Sequence, residues 1–137
     1  MTNVSIDEYA VTGRDGGPYA VTSGPDGALW FTEYRSHRIG RVTTDGTATE
    51  FPLPTPECGP YGLAAGPDGA LWFTEIAAGQ IGRITTDGAI TEFPLPDRSA
   101  RPHAITPTSE PHGIVLGPDG ALWAALETGS LARVRPR

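Results

Sequence analysis

Two histidines and two glutamates in the last third of this 137-residue chain have side chains suited to acid–base and metal chemistry. Glu110 lies two residues before His112, Glu127 follows a predicted strand in the same unit, and His103 precedes His112 by nine residues. Imidazole is the side chain best placed to take a proton near neutral pH. Two carboxylates without a nearby lysine suit a hard cation such as Mg²⁺, which prefers few protein oxygens and several waters.

These residues are part of an internal repeat. The segment GPDGALWFTE at 24–33 recurs unchanged at 66–75, and its first seven residues recur at 117–123. The segments at 39–46 (IGRVTTDG) and 49–54 (TEFPLP) return with the same offset at 81–88 and 91–96. A period of about 40–45 residues containing four short strands is typical of a β-propeller blade.

Each repeat unit is predicted to contain four antiparallel strands. Pro25-Asp26-Gly27 and Asp45-Gly46 are turn signals, because proline sets a fixed φ and glycine adopts a positive one. The fold class is therefore predicted to be all-β, a partial β-propeller of about three four-stranded blades plus a stub strand. In the first unit the four strands are expected near 19–22, 28–33, 38–44 and 47–51.

The whole chain is interpreted as a single partial propeller domain. Tyr9 precedes Phe51 by one full period, so Ile6–Tyr9 is predicted to be a fourth strand that completes the last blade. His103, in the predicted first strand at 101–106, is followed after only nine residues by His112 of the next unit, so 101–106 is interpreted as a stub strand. The predicted parts are the N-terminal strand in 1–16, blades at 17–58 and 59–100, the stub at 101–109, and a three-stranded last blade at 110–137.

Several candidate residues occupy the same position of the repeat, at the start of the first strand of each unit. The starts of inner strands lie at one end of a propeller's channel, and an antiparallel second strand returns to that same rim. We therefore expect Glu110, His112 and Glu127 to lie close together, with His103 approaching from the neighbouring unit. The residues at this position are Tyr19, Tyr61, His103 and His112.

A structural interpretation of the same residues stays open. His103 and His112 could be substitutions at an aromatic position of the repeat, and His37 is expected to be structural. Glu33 and Glu75 end their second strands and are expected to be solvated or rim residues. Glu33 and Glu75 stand three residues after the tryptophan of their strand, whereas Glu127 stands four residues after its tryptophan. This difference favours a specific role for Glu127 in the last unit.

The repeated segments GPDGALWFTE, IGRITTDG and TEFPLP resemble those of the virginiamycin B lyase family, also called streptogramin B lyases. The pairing of RPHAIT at 101–106 with EPHG at 110–113 and a following glutamate is the more specific part of this resemblance. It implies a seven-bladed propeller as the parent fold and covers nearly the whole chain.

The resemblance also implies roles for individual residues. His112 resembles the general base of the family, Glu110 and Glu127 its Mg²⁺ ligands, and His103 and Tyr19 its substrate-binding residues. The implied reaction is an elimination, in which the base removes an acidic α-proton and the ester C–O bond of a cyclic depsipeptide breaks. Mg²⁺ would stabilise the enolate-like charge.

Composition and charge exclude several other classes. The formal net charge of −6 argues against nucleic-acid binding, which needs a basic face. No segment approaches the roughly 18 apolar residues of a membrane helix, and no targeting segment is evident. A cytoplasmic protein with no membrane partner is therefore expected. Cys58 is the only cysteine and is interpreted as an ordinary free thiol.

Two functions from different classes follow from these observations. The first is a Mg²⁺-dependent lyase that linearises streptogramin B-type cyclic depsipeptides. The alternative is a non-catalytic propeller module that binds a ligand or partner through its channel face. Open blade edges favour association, so a homodimer that exchanges its N-terminal strands is also predicted, against an open monomeric arc.

Overall fold

The computed structural model describes residues 4–13, 16–96, 111–126 and 131–136. Every regular element in these ranges is a β-strand. In chain order the strands are β1 Pro18–Ser23, β2 Leu29–Glu33, β3 Arg38–Val42, β4 Ala48–Pro52, β5 Pro60–Ala65, β6 Leu71–Glu75, β7 Gln80–Ile84, β8 Ile90–Pro94, β9 Pro111–Leu116, β10 Leu122–Leu126 and β11 Leu131–Val134.

The strands form three antiparallel sheets that correspond to three blades. Two have four strands, in the orders β1-β2-β3-β4 and β5-β6-β7-β8, and the third contains β9, β10 and β11. Strand β5 contacts both β1 and β9, so the first strands of the three blades lie side by side. The prediction of an all-β partial propeller is confirmed. The stub strand predicted at 101–109 lies outside the described residues.

An aspartate in the turn between the first two strands of each blade explains much of the repeated sequence. Asp26 Oδ1 accepts a hydrogen bond from Trp30 Nε1 at 3.0 Å, and Asp26 Oδ2 accepts one from Arg41 Nε at 2.8 Å. The turn is thereby tied to both β2 and β3. The same bonds surround Asp68 and Asp119 in the other two blades.

The repeated glycine in the third strand has a steric cause. The Phe31 ring of β2 covers Gly40 of β3, and a Cβ on Gly40 would lie 2.2 Å from ring carbons. Phe73 covers Gly82 in the second blade, at 2.1 Å from such a Cβ. A side chain at either glycine would push the ring out of the core, because protein interiors are close-packed.

The blades pack face to face through their tryptophans. Trp30 is fully buried in one core cluster with Leu63 and Phe73 of the second blade. Trp72 lies in a second cluster with Leu122 of the third blade. The tryptophan face of each of these blades therefore packs on the next blade along the chain, which sets the blade order and brings the inner strands together.

The N-terminal segment does not form the predicted strand in this structure. Residues 4–13 contain no strand, and the Tyr9 ring lies over Gly46, 2.9 Å from where a Cβ would stand. The Phe51 ring of β4 lies in the same way over Gly88 of the next blade, 2.7 Å from such a Cβ. Tyr9 thus occupies the place that a fourth-strand aromatic takes beside the following blade. Its pairing with the last blade stays a prediction.

Candidate active site

The first strands of the three blades share one register with their partners. Pro18 of β1 pairs with Glu33, Pro60 of β5 with Glu75, and Pro111 of β9 with Leu126, each followed by a β-bulge or similar register shift. The residues that follow these prolines are therefore equivalent. His112 in β9 takes the backbone position of Tyr19 in β1 and Tyr61 in β5.

In the first two blades, the glycine two residues before this tyrosine is hydrogen-bonded to the residue that follows the second strand. Tyr34 N–H donates to the Gly17 carbonyl at 3.0 Å in the first blade. Ile76 N–H donates to the Gly59 carbonyl at 2.9 Å in the second. The loop that enters each inner strand is thus joined to the end of the neighbouring strand, and the side chains at these sites share one rim.

Three tyrosines form an aromatic cluster at this rim, which we call the tyrosine cluster (Tyr19, Tyr34 and Tyr61). The rings of Tyr19 and Tyr61 stack with centroids 4.2 Å apart, and their hydroxyls are hydrogen-bonded at 2.6 Å. Tyr34 lies edge-on to Tyr61 at 5.8 Å. The hydrogen bond with Tyr19 raises the pKa of the Tyr61 hydroxyl, so that group remains neutral at physiological pH. Tyr19 is 59% exposed and accessible to a ligand.

Sequence reasoning identified Tyr19 and the position of Tyr61 but missed Tyr34. Tyr34 stands four residues after Trp30, the same spacing that separates Glu127 from Trp123. That shared spacing is the feature of the sequence from which Tyr34 could have been identified as a rim residue. The blade-1 residue equivalent to Glu127 therefore belongs to the same rim as Tyr19.

The described residues include only part of the predicted catalytic set. Glu110, Glu127 and His103 lie outside the described residues, and His112 is placed through its backbone in β9. Among the residues that are described, no group of three or more histidine, cysteine, aspartate or glutamate side chains could hold a metal ion. The described ranges also include no helix able to cross a membrane.

His37 makes a structural contact with the loop that enters the second blade. Its Nδ1 accepts a hydrogen bond from Gly59 N–H at 3.1 Å, which links the first blade to the loop entering the second. Its backbone has a φ of 59°, a conformation that most residues adopt only with strain. Replacing His37 therefore affects the junction between two blades.

The expectation that Glu33 and Glu75 are solvated is wrong. Both residues are fully buried, with 0% exposure. They end β2 and β6 with their side chains on the face that carries Phe31 or Phe73, because alternate residues of a strand share a face. Their carboxyl groups therefore lie inside the blades and not in solvent.

Both the sequence and the structure of this chain are similar to those of known proteins. The sequence profile of the Virginiamycin B lyase family matches residues 1–108. This chain belongs to that family. A virginiamycin B lyase from Saccharopolyspora erythraea is 50% identical over a match that covers 39% of this chain and 32% of the relative.

Solved structures of family members superpose on nearly the whole chain. A virginiamycin B lyase from Staphylococcus aureus matches with a TM-score of 0.77 and 40% identity, over 94% of this chain and 44% of its own. A catalytically inactive form of the Staphylococcus aureus enzyme with quinupristin matches with a TM-score of 0.76 and 39% identity, over 96% of this chain and 45% of its own. The chain therefore spans less than half the length of these relatives.

Proposed function

We propose that this chain carries a Mg²⁺-dependent lyase site that linearises streptogramin B-type cyclic depsipeptides by elimination at the ester bond. Membership of the virginiamycin B lyase family supports the reaction class. The similar enzyme solved with quinupristin supports the substrate class. Because the chain spans 32% of the relative from Saccharopolyspora erythraea, the activity of the longer enzymes is a proposal for this one.

The observation that carries this proposal is the bonding pattern at the rim. Gly17 and Tyr34 are hydrogen-bonded, as are Gly59 and Ile76, and the equivalent residues of the third blade are Glu110 and Glu127. Repetition of this bond would bring the two glutamates together. It would also set them beside His112, since Tyr19 and Tyr61 take its position in the first two blades.

His112 acts as the general base in this proposal. It takes a proton from an acidic α-carbon of the depsipeptide, and the C–H electron pair becomes a carbon–carbon double bond. The adjacent ester C–O bond breaks, and its electrons leave on the carboxylate. The product is a linear peptide with a dehydrated residue, and no water is consumed. A positioned base of this kind contributes typically about 10²–10⁴-fold in rate.

Substrate binding is assigned to His103 and Tyr19. The exposed face of Tyr19 belongs to the tyrosine cluster, which offers apolar ring surface next to hydroxyl groups. Aromatic side chains bury large areas at low cost in conformational entropy, which suits a bulky cyclic ligand. Tyr19→Ala should therefore raise KM more than it lowers kcat.

Glu110 and Glu127 are the residues that would hold Mg²⁺. Their carboxylate oxygens are the hard donors this ion prefers, and the bonded Gly17–Tyr34 pair supports two ligands at these positions. Bound there, Mg²⁺ would supply positive charge for the carbonyl oxygens on which negative charge develops. The chain's own contribution is to hold two carboxylates beside the base, so that His112 and the substrate are positioned before reaction.

A mass measurement tests the proposal directly. The purified chain is incubated with quinupristin and Mg²⁺, and the products are separated by chromatography and weighed by mass spectrometry. Elimination predicts a linear product with the mass of the substrate, whereas hydrolysis would add the mass of one water. Intact substrate alone, from protein whose folding is verified by tryptophan fluorescence, would contradict the proposal for this chain.

The tyrosine cluster favours a second candidate, a non-catalytic module that binds a ligand at the rim. Its exposed rings could recognise a ligand without any chemistry at His112. The two functions differ in their response to Mg²⁺. A binding module predicts quinupristin binding that is indifferent to Mg²⁺ and chelator, whereas the lyase needs the ion for turnover.

A further inference from the structure

Each four-stranded blade brings together two glutamates, a fully buried one from its second strand and a half-buried one from its fourth strand. Glu33 of β2 pairs in register with Arg38 of β3, and Glu50 of β4 pairs with Gly40 of β3. Residues two apart on β3 share a face, so the two glutamates meet diagonally across that strand. Glu75 and Glu92 have the equivalent arrangement across β7.

In the first blade, one oxygen of each carboxyl group has a partner, and the other has none among the described residues. Glu33 Oε1 accepts a hydrogen bond from Ser36 Oγ at 2.7 Å, and Glu50 Oε1 lies 3.6 Å from the Arg38 guanidinium. Within the described part of the chain, Oε2 of Glu33 and Oε2 of Glu50 are buried without a donor.

The second blade repeats this pattern with different donors. Glu75 Oε1 accepts from Gln80 Nε2 at 2.6 Å, and Glu92 Oε1 accepts from Thr55 Oγ1 at 2.7 Å. Gln80 Nε2 also donates to Thr55 Oγ1 at 3.2 Å, which closes the polar network on the loop from the first blade. Again, both Oε2 atoms are buried and have no donor among the described residues.

Two ionised carboxylates in such a place would be unfavourable. A buried carboxylate oxygen without a donor costs free energy, and a second negative charge beside it adds repulsion. One proton removes both penalties, because it turns one carboxyl into a donor to the other. The remaining charge is then spread over a hydrogen-bonded pair.

We propose that each of these two blades holds one proton shared between its paired glutamates, and that the two protons make the stability of the fold sensitive to pH. In the second blade the hydrogen-bond network includes Thr55, so the shared proton also stabilises the connection between the two blades. Alkali releases the protons and weakens the blades, without involving the residues of the rim.

The direction of the pKa shifts agrees with this geometry. Burial and then the hydrogen bond with Glu50 raise the pKa of Glu33 to about 7. Burial and then the hydrogen bond with Glu92 raise the pKa of Glu75 to about 9. Since the raised values belong to the folded state, this stabilisation is complete below the ordinary glutamate pKa of 4.5 and declines as pH rises. It is lost above about 7 in the first blade and above about 9 in the second.

Burial is the largest cause of both raised pKa values, and neighbouring groups add to the difference between the two blades. Arg38 lies beside the first pair and favours the ionised forms, whereas the equivalent residue in the second blade is the neutral Gln80. Cys58 also lies near Glu75 and Glu92. Its burial and the two glutamates raise the pKa of its thiol to about 12, so it remains neutral throughout.

Chemical denaturation of the whole chain at a series of pH values, in the presence of EDTA, tests the proposal. The unfolding constant should rise about tenfold per pH unit between about 7 and 9, since the native second blade retains one more proton than the unfolded chain. In Glu75→Gln the amide replaces the shared proton with a permanent donor, and this rise should disappear. Glu8→Gln, at an exposed residue, should retain it.

Exchanging the neighbouring residue provides a second test that keeps both glutamates. Gln80→Arg should move the loss of stability to lower pH, and Arg38→Gln should move it to higher pH. Infrared spectroscopy should show a protonated carboxyl band that disappears over the same interval. An unfolding constant that is flat between about 7 and 9, or a slope unchanged in both Glu75→Gln and Gln80→Arg, would overturn the proposal.

Discussion

The backbone N–H of Tyr34 donates to the carbonyl oxygen of Gly17 at 3.0 Å, and the equivalent bond between Ile76 and Gly59 is 2.9 Å. This bond joins the entry of the inner strand to the end of the strand beside it. Its equivalent in the third blade would join Glu110 and Glu127, the two proposed metal ligands. A backbone contact repeated in this way would hold the same two positions of each blade together, and only the side chains at those positions would differ between blades.

Removal of the proposed base should abolish turnover without unfolding the protein. We expect His112→Ala to lower kcat/KM for quinupristin by about 10²–10⁴-fold, the usual contribution of a general base. His37→Asn is the matched control, because asparagine tolerates the positive φ of this position better than alanine does. Equal losses of activity in the two variants, at equal stability, would show that the base is placed wrongly.

Mg²⁺ should stabilise the folded chain through Glu110 and Glu127. A ligand that binds only the native state raises the melting temperature in proportion to the logarithm of its concentration. We expect this rise with MgCl₂ in the wild-type chain and its loss in Glu110→Gln or Glu127→Gln. Glu57→Gln, at an exposed residue, should behave like wild type. A rise that persists in both site variants would place the ion elsewhere.

Alanine at Gly40 should destabilise the first blade. The added Cβ would stand 2.2 Å from the Phe31 ring, which is itself buried in the core. Overpacking of this kind costs typically about 1–3 kcal/mol. Gly113→Ala is the control, since no atom of the described residues lies within 4 Å of where its Cβ would stand. The free energies of unfolding in urea should separate the two variants, and equal values would contradict the close contact.

Self-association through the N-terminal segment is expected to depend on Tyr9. In the structure its ring lies over Gly46, in the place that Phe51 takes over Gly88. A second chain whose last blade receives Ile6–Tyr9 as a fourth strand would extend this arrangement. We therefore expect light scattering to show a dimer that Tyr9→Ala weakens. A stable monomer of 14.4 kDa with buried tryptophans would exclude the exchange.

Elements that depend on neighbouring residues were predictable from the sequence. The turn residues around Asp26 and the alternation in 28–33 act over a few residues, and their recurrence at 66–75 indicates the blade. The equivalence of Tyr19, Tyr61 and His112 followed from the same repeat, and strand register agrees with it.

The sequence by itself therefore determined the repeat, the blade and the position of the candidate residues within it, because these rest on local turn chemistry and a fixed period. The tertiary structure decided that Glu33 and Glu75 are buried, since each needs a glutamate from two strands away to share its site. It also decided the path of Ile6–Tyr9, because a strand forms only where another backbone offers hydrogen bonds. Burial and pairing depend on residues distant in sequence, and a repeat pattern carries no information about them.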